Sequence, residues 1–165
     1  TYLTKNDPDA ICKIAASTGF FDKNDIELNR KLAEKALQNK DCGYEYIIAE
    51  FDGEPGAYAC FGELPDAREG TFEIFWLSTL NSFRGCGIGH QLFAQLLGIL
   101  QKRNVKKLYV KTDNTDQYYP TRKFYEKCGF RREAILREYY DRKDDCCIYG
   151  MDFAKEEEQY FEAAE

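Results

Sequence analysis

One histidine, one tryptophan, one methionine and four prolines occur in this 165-residue chain. A single His90 leaves no Cys/His spacing for a zinc centre, and no Asp/Glu motif suggests a carboxylate site, so no metal is expected. No Cys-x-x-Cys occurs among the cysteines at 12, 42, 60, 86, 128, 146 and 147. An odd count without such pairs fits reduced thiols in a cytoplasmic protein better than a disulfide framework. No apolar run approaches the ~20 residues of a spanning helix, and the first residues, Thr-Tyr-Leu-Thr-Lys, lack a signal-peptide pattern. A membrane is therefore not an expected partner. Nor is nucleic acid, because no Lys/Arg cluster forms a phosphate-backbone footprint. Lys106-Lys107 is too short for one and reads as the solvated border of a strand.

What is present suits a soluble α/β domain. Hydrophobic residues make up 44%, with 12 Phe and 12 Tyr, and charged residues 32%. The net charge of -6 is concentrated in residues 155–165, which carry one Lys against five Glu, so the body is close to neutral. Residues 1–153 are expected to form one domain, with 154–165 an acidic tail. No internal repeat or linker interrupts it.

Asp7-Pro8-Asp9 starts a helix that ends near Ser17, before Gly19, and a second helix is expected over 25–40. The period then changes to that of strands. Residues 44–51 and 57–64 flank Asp52-Gly53-Glu54-Pro55-Gly56 and read as a β-hairpin. Residues 71–80 (TFEIFWLSTL) are nearly all apolar and read as a central strand covered on both faces. A helix over 87–102 carries Leu92, Leu96, Ile99 and Leu100 at helical spacing, and a strand follows over 105–112. That order predicts a βαβ crossover with a parallel pair. A short helix over 121–128 follows Pro120, and 130–139 with 145–153 predict a closing hairpin.

Between the central strand and its helix lies Arg84-Gly85-Cys86-Gly87-Ile88-Gly89. Glycines at alternate positions free backbone N–H groups beside the positive end of a helix dipole, a setting that suits a pyrophosphate. A tight turn with no ligand fits the same residues. The spacing is neither the Rossmann fingerprint nor a P-loop. Glu73 shares a strand face with Phe75, Leu77 and Thr79, so a carboxylate stands among apolar neighbours. Burial would raise its pKa toward that of a general base; an edge glutamate paired to Lys or Arg is the alternative.

The run Ser82-Phe83-Arg84-Gly85-Cys86-Gly87-Ile88-Gly89-His90-Gln91-Leu92 resembles the R-x-x-G-x-G motif of the GCN5-related N-acetyltransferases. Phe124-Tyr125-Glu126-Lys127-Cys128-Gly129-Phe130 resembles that family's second signature. The two stand in the family's order, and the likeness spans about residues 40–153. It implies an α/β (α+β) fold: a central mixed sheet of six to seven strands, splayed at the cofactor site and flanked by about four helices. It also implies acetyl-CoA as donor. The pantetheine would pair with the backbone of Leu77, Ser78 and Thr79. Amides of Gly85, Cys86, Gly87, Ile88, Gly89 and His90 would hold the pyrophosphate, and Arg84 would brace the loop.

The same resemblance implies transfer of acetyl to a primary amine by direct attack in a ternary complex. Tyr125 occupies the family's usual proton-donor position, with packing of its helix against the sheet as the alternative. Glu73 occupies a strand position where the family often has its base, acting directly or through water. The acceptor would be a small-molecule or peptide amine, and homodimers are common in the family. Two positions depart from the ribosomal-protein alanine acetyltransferases, which Arg137-Glu138-Tyr139-Tyr140 also resembles. Lys111 stands where they carry an acidic residue and Tyr118 where they carry Asn. These differences weaken a protein N-terminus as substrate and leave Glu73 the better base. Asn114 is near enough in sequence to stand in for the missing Asn.

His90 in a helix's first turn reads as phosphate-side or solvent-facing, and Cys146-Cys147 as alternate-face packing in a strand. Cys86 fills a variable motif position. A non-catalytic acyl-CoA-binding module of the same fold is the competing function. Phe in place of Tyr125 separates the two, because a binding module would lose nothing. An unrelated nucleotide-binding domain would bind NAD or ATP in preference to CoA.

Overall fold

The computed structural model describes residues 3, 4 and 6–153. The expected acidic tail lies outside the described residues. Four α-helices and six strands occur among the described residues: α1 (Asp7–Thr18), α2 (Lys23–Gln38), β1 (Glu45–Phe51), β2 (Glu54–Glu63), β3 (Thr71–Thr79), α3 (Ile88–Lys102), β4 (Lys107–Asp113), α4 (Tyr119–Lys127), β5 (Arg131–Asp141) and β6 (Asp144–Asp152). The strands form one mixed sheet in the order β1-β2-β3-β4-β6-β5. Two 3-10 turns, Asn81–Phe83 and Asp116–Tyr118, were not expected from the sequence.

Local chemistry explains the boundaries. Helix α2 starts two residues before the expected Asp25, because Asp22 is the N-cap and Asp25 completes a capping box. The Asp22 carboxylate accepts from Asp25 N at 2.8 Å, and Asp25 accepts from Asp22 N at 3.2 Å. Gly19, at φ 71, terminates α1. Pro120 sits in the first turn of α4, which therefore begins at Tyr119 rather than 121. The first hairpin turns on Asp52 and Gly53 alone, at φ 51 and 79, the paired positive φ of a type I′ turn. Strand β2 consequently begins at Glu54, three residues before its expected start, and a bulge between Ala49 and Glu50 accommodates Pro55. Strand β4 begins at Lys107, two residues later than expected.

The chain divides into two compact units. One comprises the chain up to residue 62 together with 74–99; the other comprises 63–73 and the chain after residue 99. In the first, Ile11, Ile14, Ala15, Ala33, Tyr46, Ile48, Tyr58 and Cys60 form a buried cluster, with Phe75 and Trp76 packed against it. Each fully buried aliphatic side chain contributes about 1.5–3 kcal/mol. A polar relay runs through this core. Asn29 Nδ2 donates to Tyr58 Oη at 2.6 Å, and Tyr46 Oη donates to Asn29 Oδ1 at 3.2 Å. Ser78 also hydrogen-bonds to the Tyr58 hydroxyl. Satisfied buried groups of this kind fix one packing arrangement. In the second unit Leu108, Val110, Tyr125, Phe130, Cys146, Cys147 and Tyr149 are buried.

Candidate active site

The segment after β3 turns through Asn81–Phe83 and enters α3 at Ile88. Leu92, Phe93, Leu96 and Leu100 are buried, which anchors the helix by its apolar stripe. Gly85 and Gly87 both have φ 79, and a Cβ on either would meet no atom within 4 Å. Backbone conformation therefore demands glycine here, while the space beside it stays open. The backbone hydrogen bonds of the loop run from Arg84 N to Asn81 O, Cys86 N to Phe83 O and Gln91 N to Gly87 O. The amides of Gly85, Gly87, Ile88 and Gly89 donate none of these, as befits a helix's first turn. This geometry fits an anionic pyrophosphate. Arg84 stacks over the Phe20 ring, 5.1 Å from its centroid. Cys86 is exposed on the loop and His90 in the first turn of α3.

A close packing supports the loop from beneath. A Cβ on Gly56 would lie 2.7 Å from Phe83 Cδ2 and 2.9 Å from Ile88 Cδ1, and Leu80 N donates to Gly56 O at 2.7 Å. Sequence reading assigned Gly56 to a hairpin turn and missed this contact. Ser78, expected to offer its backbone to pantetheine, turns its side chain into the core relay. Asn29, the other partner of the Tyr58 hydroxyl, could have been found from the sequence, as a polar residue on the α2 face shared by Ile26 and Ala33.

Glu73, 7% exposed, lies on β3 within the second unit. Its Oε1 is 3.6 Å from Lys111 Nζ on β4. Burial pushes its carboxyl above the usual carboxylate range, and Lys111 pulls it part of the way back. Glu73 is thus desolvated and paired to a lysine, on a strand interior to the sheet rather than at its edge. Lys111 Nζ also stands 6.0 Å from the Tyr139 ring centroid.

Tyr125, 5% exposed, is the buried residue of α4. Its ring meets Phe124 at 5.5 Å, Phe130 at 5.6 Å and Tyr149 at 6.5 Å between centroids. Burial raises its hydroxyl pKa, so the proton is retained at working pH. Asn114 faces β6. Its Oδ1 accepts from Cys147 Sγ at 3.1 Å and its N donates to Asp145 O at 2.9 Å. Cys146 instead accepts from Tyr140 Oη at 3.5 Å, so the vicinal cysteines take separate partners, and every cysteine is a free thiol. Among the described residues no helix is long and apolar enough to cross a membrane.

The fold is one that N-acetyltransferases share. A solved structure of a GNAT-family protein from Desulfovibrio desulfuricans superposes with a TM-score of 0.89 at 30% identity, covering 93% of this chain and 98% of that one. An aminoglycoside 6'-N-acetyltransferase solved with coenzyme A superposes with a TM-score of 0.70 at 16% identity, covering 94% and 97%. Over 69 residues the chain is 29% identical to the [ribosomal protein bS18]-alanine N-acetyltransferase of Haemophilus influenzae. That match spans 42% of this chain and 45% of the relative. The model of the acetyltransferase (GNAT) family matches residues 9–130, and the chain belongs to that family.

Proposed function

We propose that this protein transfers an acetyl group from acetyl-CoA to a primary amine by direct attack in a ternary complex. The observation that carries the proposal is the start of α3. There two left-handed glycines open onto free space, and the amides of Gly85, Gly87, Ile88 and Gly89 make none of the loop's backbone bonds. With Cys86 and His90 they would hold the pyrophosphate, and the backbone of Leu77, Ser78 and Thr79 would hold the pantetheine. Acetyl-CoA, when bound, supplies an activated acetyl thioester. Asn114, whose Oδ1 is engaged by Cys147 on β6, would stand in through its Nδ2 for the missing Asn at the cofactor.

The protein's own groups handle the protons. An alkyl ammonium (pKa ~10.4) must lose a proton before its nitrogen can attack, and the departing thiolate (thiol pKa ~8.5) must gain one. Glu73, raised by burial, takes the proton from the amine, directly or through water. Tyr125 keeps its proton and donates it to the sulfur as the C–S bond breaks. The relatives' named acceptors, a ribosomal-protein alanine and an aminoglycoside, differ widely on one fold, so the fold leaves the acceptor open. Calorimetry with CoA, followed by thiol release from acetyl-CoA over an amine panel, tests the proposal. Submillimolar CoA binding and turnover of at least one amine are expected; binding of NAD or ATP in place of CoA contradicts it.

A further inference from the structure

Strand β4 is central in the sheet, and its exposure alternates around Lys111: Val110 and Thr112 are buried and Lys111 is exposed. A lysine at such a position would ordinarily extend into solvent. Here its ammonium lies 3.6 Å from Glu73 Oε1 and 6.0 Å from the Tyr139 ring centroid. Tyr139 sits on the irregular part of β5, where pairing with β6 lapses between Leu136 and Asp141 and Glu138 adopts φ 49. Tyr139 is exposed and meets Tyr140 edge-on at 5.0 Å. Glu73 thus has a cation on the β4 side, and that cation has an aromatic ring beyond it. Among the described residues Lys111 is the charged group that acts on the Glu73 carboxyl.

We infer that Lys111 is a positioning residue for Glu73: a resident ammonium that keeps the carboxylate ionised and aimed, and whose charge governs which acceptors can approach. The inference rests on the reading of Glu73 as base and deepens it. Without the Lys111 charge, burial would push the carboxyl further up, and a larger fraction of it would carry a proton. The ammonium counters that cost. It also repels positive charge on the acceptor: a lone ammonium has the Glu73 carboxylate to offset that repulsion, a carboxylate beside the amine offsets it further, and a polyamine brings a second charge with nothing to offset it. Acceptors that are monocationic or zwitterionic are therefore favoured over polyamines.

The test uses the full chain and the variants K111M, K111Q, K111R and E73Q. Carbon-13 NMR of labelled glutamate carboxyls follows the Glu73 resonance, assigned by its loss in E73Q. The expected result is a titration midpoint higher by about one unit or more in both neutral variants, a shift of the size a close opposite charge produces. K111R should restore the original midpoint. On a panel amine that turns over, the acidic limb of kcat/KM should move up by the same interval. K111M should also gain about ten-fold on a diamine relative to its monoamine counterpart. An unchanged midpoint in both neutral variants overturns the inference, as does an acidic limb that stays in place while E73Q abolishes activity. If E73Q retains full turnover, the base assignment itself fails, whatever the midpoint does.

Discussion

Replacing Tyr125 with Phe removes one oxygen from a well-packed ring. The contacts to Phe124, Phe130 and Tyr149 survive, because all of them are made by the ring. Among the described residues no group hydrogen-bonds to the hydroxyl, so Phe forfeits none. Stability should therefore change by less than ~0.5 kcal/mol, or rise slightly as a poorly solvated polar group disappears. Activity should respond very differently. A free tyrosine donates to a thiolate uphill by ~1.5 pKa units, about 2 kcal/mol, and burial raises that barrier further. The donation must then be concerted with C–S cleavage, and losing it costs at least ~100-fold in kcat. The assay is thiol release from acetyl-CoA, alongside a thermal melt and a calorimetric CoA titration. An unchanged melt and CoA affinity with kcat down ~100-fold would bear the account out. Turnover within threefold of wild type would refute the role of Tyr125 and reduce it to a packing residue.

Four further changes probe other parts of the molecule. G87A places a Cβ in open space but in a left-handed backbone, at about 1–2 kcal/mol, so either the melt falls or CoA affinity drops ~5–30-fold. G98A is its counterpart, also in open space but inside α3; it should stabilise by about 0.5–1 kcal/mol in urea unfolding and leave CoA affinity unchanged. G62A drives a Cβ against the carbonyl oxygen of Gly43, which is backbone and cannot step aside, so urea unfolding should show a loss of at least ~2 kcal/mol. For D144N the sign follows from linkage. The hydrogen bond shared with Asp113 pushes the Asp144 carboxyl up to about 6, so its contribution is present below pH ~4 and lost as pH rises through 6. D144N should therefore melt higher than wild type at pH 7.5, with the gap closing by pH 4.5; a gap independent of pH contradicts the pairing.

Long periodic elements were legible in the sequence because their signals are local. The apolar stripe of α3, the turn chemistry at Asp52-Gly53 and the glycine stop at Gly129 each depend on residues a few positions apart. The glycine loop was legible for the same reason. Its two positive-φ residues are Gly85 and Gly87, where the sequence has the glycines. What escaped were pairings across the sheet. Nothing local to Glu73 announces Lys111, which is 38 positions later and reaches it from a separate strand. Gly56 reads as a turn residue until Phe83 and Ile88 are seen against it. The Asp113–Asp144 pair likewise joins the end of one strand to the start of another. Alternation on β3 put Glu73 on one strand face with Phe75 and Leu77, but it could not tell a free base from a paired one, and the fold makes Glu73 both buried and paired.

The central claim is that the loop opening α3 holds the phosphates of a CoA donor. The most direct measurement is a titration of the nitrogen-15-labelled chain with CoA, read at each backbone amide. The account predicts large shifts at Gly85, Gly87, Ile88, Gly89 and His90, with smaller ones at Leu77, Ser78 and Thr79. Shifts confined to other elements, or none at millimolar CoA, would contradict it.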